Sequence, residues 1–177
     1  MVPDDRRGPR ADTGAMTEQA PVLLATDGSP SAQAATEKAI ELARLLDAKL
    51  LVATVWDIPY SAIGYAPVPL SADFDILQED KAHEVTAQAV AQAEAEGVAA
   101  ESAVLRGIPS EEIRLAAERF EPQLLVMGSH GWGPVRRMLL GSVSTGVLRR
   151  VTCPTLIVRG PKHEQSAHES EHAKAEA

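Results

Sequence analysis

Two glycine-containing segments near the C-terminal end of the chain have residue types and a spacing that suit phosphate binding. A Gly-x-x-Gly pair, Gly128 and Gly131, follows an apolar run, and nine residues later Gly141-Ser142 opens a helix-like stretch. Glycine lets a ligand approach the backbone closely. A serine at a helix start leaves backbone N–H groups pointing outward, at an end with positive dipole character. Together the two segments predict a cradle for phosphate.

The charge around these segments is opposite in sign to that of the whole chain. The formal net charge of the chain is -8, yet no Asp or Glu occurs between Pro122 and Lys162. This local reversal points to an anionic ligand. The positive residues in the window are Arg136, Arg137, Arg149, Arg150, Arg159 and Lys162.

Composition excludes several classes of protein. With 45% hydrophobic and 24% charged residues, the 177-residue chain is typical of a soluble globular protein. Only 3% of residues are aromatic and the net charge is acidic, so we predict no nucleic-acid partner. The single cysteine, Cys153, excludes an internal disulfide and a cysteine-based zinc site. No apolar run approaches the roughly 20 residues of a membrane span. We therefore predict a cytoplasmic protein with no membrane partner and no bound structural metal.

The chain divides into one domain and two polar tails. Residues 1–20 are rich in Pro, Gly, Asp and Arg and are predicted to be a disordered leader. Residues 21–160 form the predicted domain, and residues 161–177 form a second disordered tail. The tail contains three histidines, but its polar, patternless composition favours a solvated segment over a metal site.

Within the domain, strand-like and helix-like segments alternate, which predicts an α/β protein with an open five-stranded parallel sheet and helices on both faces. Residues 57–70 are predicted to be a long loop. The predicted strands are 21–26, 49–56, 99–105, 123–127 and 155–158, and the predicted helices begin at Pro30 and cover 71–97, 109–120 and 142–150.

Ligands of such sheets bind beyond the carboxyl ends of the strands, where the strand order reverses. The glycine segment follows the fourth predicted strand, and Asp27 follows the first. If these two strands are neighbours, Asp27 and the glycines meet at one crevice. Other phosphate patterns do not fit, because the chain has no Gly-Lys pair for a Walker motif and too few glycines after its first strand for a dinucleotide fingerprint.

Four segments of the chain, taken in order, resemble the universal stress protein family, and in particular its ATP-binding branch: residues 23–29, 126–131, 139–144 and 153–158. That branch is marked by G-x-x-G, nine residues and G-[ST], which Gly128, Gly131, Gly141 and Ser142 match. The segments at 23–29 and 153–158 resemble the opening and closing strands of the family. The resemblance covers about residues 21–159 and implies an adenine nucleotide alpha hydrolase-like, Rossmann-like fold.

The resemblance implies ATP as the ligand, with Mg²⁺ allowed beside it, and a role for each matching position. Ala25 and Asp27 would face the adenosine, and Val55 would line the adenine pocket. The ribose and phosphates would be wrapped by Gly128, Ser129, His130, Gly131, Trp132 and Gly133. Backbone N–H groups and hydroxyls of Gly141, Ser142, Val143 and Ser144 would bind phosphate. Trp132 departs from the small or polar residues usual there, and either covers the ligand or packs on the surface.

The leading functional hypothesis is an adenine-nucleotide-binding regulator or sensor of stress, with at most slow ATP hydrolysis. No catalytic residue is assigned, because His130 has no identifiable nucleophile or carboxylate beside it. The family also implies a homodimer joined through the last strand. One alternative is a nucleotide-activating enzyme of the same fold that uses the loop at 57–70, and another is an interaction module without nucleotide.

Overall fold

The structure, a computed structural model, describes residues 19–56, 72–132 and 140–160, and for 72–74 the backbone alone. Five strands and four helices alternate along these residues. The strands are β1 (Val22–Ala25), β2 (Leu50–Trp56), β3 (Ala100–Arg106), β4 (Leu124–Gly128) and β5 (Thr155–Val158). The helices are α1 (Pro30–Leu45), α2 (Ala72–Ala95), α3 (Pro109–Phe120) and α4 (Ser142–Leu148).

The strands form one parallel sheet in the order β3-β2-β1-β4-β5, which confirms the predicted fold class. The chain moves outward from β1 in one direction through β2 and β3, and in the other direction through β4 and β5. The strand order therefore reverses between β1 and β4. These two strands are paired, with Ala25 opposite Met127. The predicted crevice requires that they be adjacent, and they are.

Two hydrophobic cores lie on opposite faces of the sheet because successive side chains of a strand point to opposite sides. On one face, α1 and α2 cover a core with alanine-rich helix surfaces, including Ala39 and Ala93. On the other face, α3 and α4 cover a second core through Ile113, Ala116 and Val147. The three central strands β1, β2 and β4 are nearly continuous apolar runs, as expected for parallel strands buried on both sides, whereas the edge strand β3 is partly exposed and includes Glu101 and Arg106.

Helix α1 begins as its sequence predicts. Ser29 is the N-cap, and its hydroxyl accepts a hydrogen bond from the Ala32 N–H at 3.3 Å, while Pro30 occupies the first helical position. At the other end, the helical period alone would place Leu46 on the face that carries the buried Ala39 and Ala43, but the structure differs. Leu46 is the C-cap residue and is 37% exposed, because the helix has already ended and its period no longer sets the direction of the side chain.

Several predicted features lie outside the described residues: the leader except for its last two residues, the loop at 57–70, Gly133, Arg136, Arg137 and the C-terminal tail. Among the residues that are described, no helix is both long and apolar enough to cross a bilayer.

Candidate functional site

A cavity of about 410 Å³ opens at the carboxyl ends of the central strands. This volume lies within the range of roughly 300–1,000 Å³ that is usual for small-molecule sites. Its wall is mostly apolar, with a few polar groups from the loops. The described apolar lining comprises Ala25, Ala32, Ala53, Val55, Pro109, Ile113, Met127, Leu140 and Val143, and the other lining residues are Thr26, Asp27, Gly128, His130, Gly131, Trp132, Gly141, Ser142 and Ser144.

The predicted site residues converge on this cavity. All of those that the structure describes, except Ser129, line it, although they come from the ends of three strands and the start of α4. Gly133 lies outside the described residues. Ser129 is buried behind the lining and connects the two glycine segments.

Ser129 holds the second glycine segment against the first. Its carbonyl oxygen accepts one hydrogen bond from the Gly141 N–H at 2.8 Å and another from the Ser144 hydroxyl at 3.0 Å. Since a hydroxyl has one hydrogen to donate, Ser144 uses its hydrogen within the protein. The exposed Ser142 at the same helix start is thus the better placed hydroxyl donor for a ligand.

The loop after β4 is also attached to the start of α1. The His130 carbonyl accepts hydrogen bonds from the hydroxyls of Ser29, at 3.2 Å, and of Ser31. The backbone of Gly128 packs so closely that a Cβ there would lie 2.7 Å from the Ser31 Oγ. The residues around Ser29 indicate an N-cap, which the structure shows, but not this second contact. The contact joins segments about 100 residues apart, and no local sequence pattern predicts it.

Asp27, Gly131 and Trp132 form one wall of the cavity. The Asp27 Oδ1 accepts a hydrogen bond from the Ser29 N–H at 3.0 Å, and the Asp27 Oδ2 lies too close to Gly131 to leave room for a Cβ there. The Trp132 Nε1–H donates to the Asp27 carbonyl at 2.9 Å. The turn after β1 and the loop after β4 are therefore held together at the cavity mouth.

The described arginines of the acid-free window do not line the cavity. Arg150 instead bonds the Glu111 carboxylate on α3 at 2.9 Å. Hydrogen bonding from Arg114, together with the charges of Arg114 and Arg150, holds the pKa of the Glu111 carboxyl below its usual range. This cluster joins α3 to the end of α4, and among the described lining residues Asp27 has the only carboxylate and no Lys or Arg is present.

Some lining residues were not predicted. Ala53 and Met127 lie opposite Ala25 in the register, so strand alternation alone places them on the same face. Pro109 and Ile113 come from α3, and no spacing in the sequence links that helix to the glycine segments. In the described part of the chain, no cluster of three His, Cys, Asp or Glu side chains could hold a metal ion.

Comparison with known proteins places the chain in a family. The model of the universal stress protein family matches residues 20–159. A universal stress protein of Methanocaldococcus jannaschii is 31% identical over 146 residues, which cover 81% of this chain and 84% of the relative.

Two solved structures are similar over most of the chain. A universal stress protein in complex with cAMP is 27% identical, with a TM-score of 0.61 and coverage of 82% of this chain and 100% of that one. The universal stress protein from Archaeoglobus fulgidus in complex with dAMP is 23% identical, with a TM-score of 0.58 and coverage of 80% and 98%, a likeness that shows the fold. By the family match and the sequence identity to its relatives, the chain belongs to the universal stress protein family.

Proposed function

We propose that the chain binds an adenine nucleotide, ATP in particular, in the cavity at the β1–β4 reversal point, and acts as a regulator or sensor in a stress response. The observation that carries this proposal is the convergence of the Asp27 turn and both glycine segments on one cavity of suitable size. The relatives solved with cAMP and dAMP support an adenine nucleotide as the ligand class.

The lining suggests how the ligand would lie. The apolar surface of Val55, Ile113 and Met127 suits the adenine ring, and the Asp27 carboxylate suits a ribose hydroxyl as acceptor. The phosphates would lie near Gly141 and Ser142, where the first N–H groups of α4 have no partner within the helix. Since no described Lys or Arg lines the cavity, Mg²⁺ carried by the nucleotide would offset the phosphate charge.

Regulation, and not rapid turnover, fits the ionisable groups at the site. The Asp27 Oδ1 is hydrogen-bonded to the Ser29 N–H, and the His130 Nδ1 lies 3.2 Å from the Ser129 hydroxyl. Both groups are thus engaged by neighbouring residues of their own loops, and we propose no catalytic residue. A ligand that binds the folded state would stabilise that state, and partners could respond to the change in population.

Calorimetry on the purified chain tests this proposal. We expect ATP to bind, with ADP and AMP as weaker ligands. Removal of Mg²⁺ with EDTA should lower the affinity for ATP more than the affinity for AMP. At a free ligand concentration of 100 times the dissociation constant, the gain in unfolding free energy should be about 2.7 kcal/mol. Absence of binding by all three nucleotides would refute the proposal, and rapid nucleotide-dependent product formation would favour an activating enzyme instead.

We also propose a homodimer joined through β5, which is an edge strand of the sheet. Its four residues are apolar or nearly so and only half-buried, and an exposed strand edge of this kind needs pairing or cover. In sedimentation equilibrium at micromolar concentration, we expect a mass twice that of the 18.8 kDa chain. A monomer throughout that range would be inconsistent with this assembly.

A further inference from the structure

Trp132 is exposed to a degree that is unusual for its residue type. Tryptophan is on average among the most buried side chains because its ring is large and mostly apolar. Trp132 is 67% exposed, whereas Trp56 is 9% exposed and lies beneath the Arg106 guanidinium. Trp132 also lines the cavity, so its exposed ring borders the space that the ligand would fill.

The ring is not free to turn away from this position. Its Nε1–H donates to the Asp27 carbonyl at 2.9 Å, and the preceding residue, Gly131, lies against the Asp27 carboxylate. Two contacts therefore join Trp132 and its neighbour to the turn after β1. A ring held at a cavity mouth, with most of its surface exposed, is suited to pack against a bound molecule.

We infer that Trp132 is a positioning residue that covers the nucleoside half of the bound nucleotide and, through its N–H, holds the Asp27 wall in place. This inference rests on the proposed function and assigns a role to a residue whose position the family motif leaves variable. It resolves the two alternatives for Trp132 in favour of ligand cover.

The placement of the walls is what assigns Trp132 to the nucleoside and not to the phosphates. Trp132 belongs to the wall that contains Asp27. The proposed phosphate donors at the start of α4, Ser142 among them, belong to the other wall, which the Gly141 N–H attaches to the Ser129 carbonyl. Since the nucleoside is common to AMP, ADP and ATP, loss of Trp132 should weaken all three to a similar extent.

Two substitutions separate the contribution of the Trp132 ring to nucleotide affinity from that of its N–H group. Trp132→Ala removes both, and we expect dissociation constants about 10-fold higher for AMP, ADP and ATP alike, equivalent to about 1.4 kcal/mol. Trp132→Phe keeps a ring without the N–H, and we expect roughly a threefold loss. Leu45→Ala is the matched control, because Leu45 is 73% exposed at the end of α1 distant from the cavity, and its affinities should equal those of the unmodified chain.

Fluorescence quenching supplies a readout that a merely structural role would not change. The difference in emission between the unmodified chain and Trp132→Phe isolates Trp132, since Trp56 is the other tryptophan. ATP should protect the Trp132 component from acrylamide and leave the Trp56 component unchanged.

The outcomes distinguish this inference from the proposed function. If the unmodified chain binds no adenine nucleotide, both fail. If it binds and Trp132→Ala binds equally well, or loses affinity for ATP but not for AMP, only the role of Trp132 is overturned. Trp132→Phe with full affinity would refute the part played by the N–H, and Trp132→Phe as weak as Trp132→Ala would refute the part played by the ring.

Discussion

Gly131→Asp should raise the dissociation constant for ATP at least 100-fold, a loss of about 2.7 kcal/mol. The structure gives this substitution two effects. A Cβ at position 131 would clash with the Asp27 Oδ2, so the Asp27 carboxylate must shift, which disturbs the hydrogen bond that its Oδ1 accepts from the Ser29 N–H. The new carboxylate would also lie beside Asp27, across the cavity from the proposed phosphates, and would repel both, with no described Lys or Arg in the lining to offset its charge. Calorimetry with ATP, on protein shown by circular dichroism to be folded, measures the effect.

Gly131→Asn separates the effect of charge from the effect of size, because an asparagine side chain is nearly as large as that of aspartate and is uncharged. We expect Gly131→Asn to raise the dissociation constant for ATP about 10-fold. The remaining loss in Gly131→Asp is then due to the charge of the carboxylate. Gly97→Ala is the control for removal of a glycine elsewhere. Gly97 has a φ of 77° and nothing near its Cβ position, so that variant should lose stability without losing affinity. Unchanged ATP binding by folded Gly131→Asp would argue against the glycine loop as a ligand-binding element.

The order and bounds of the elements could be predicted closely because the signals are local. Helix α3 begins at Pro109, whose fixed φ suits the first helical position, and its predicted range is the observed one. Strand β5 likewise covers the predicted residues. The adjacency of β1 and β4 is not a local property. The predicted crevice depends on this adjacency as a condition, and the observed pairing of β1 with β4 meets that condition.

The site could be predicted only where it is built from strand ends and glycine spacing. The part formed by α3 was missed because Pro109 and Ile113 reach the cavity through the packing of that helix on the sheet. This packing produces no sequence pattern near the glycine segments. The hydrogen bonds of Ser129 and Ser144 were missed for a similar reason. Sequence shows that a serine can donate, but whether its hydrogen is directed to a ligand or to a carbonyl depends on the folded backbone.

Gly128→Ala should lower the unfolding free energy by about 2 to 3 kcal/mol, at the upper end of the usual cost of overpacking. Its Cβ would lie 2.7 Å from the Ser31 Oγ and 2.9 Å from two atoms of the α1 backbone. Gly160 packs on the same residue, where a Cβ would lie 2.9 Å from the Ser31 Cα, so the start of α1 is in close contact with the ends of both β4 and β5. Chemical denaturation, fitted for the midpoint and slope, measures the loss.

Gly131→Ala is the matched control, because the two glycines belong to one Gly-x-x-Gly pair and differ in what surrounds them. Near Gly131 a Cβ meets only the end of the Asp27 side chain, which can rotate, whereas near Gly128 it meets backbone. Gly131→Ala should therefore keep the stability of the unmodified chain to within about 1 kcal/mol and lose nucleotide affinity. The opposite pattern, with Gly128→Ala fully stable but unable to bind ATP, would contradict this division. If both variants behave as expected, the motif combines one glycine required for packing of the β4 loop on α1 with one required at the ligand. The spacing of the motif would then reflect both requirements.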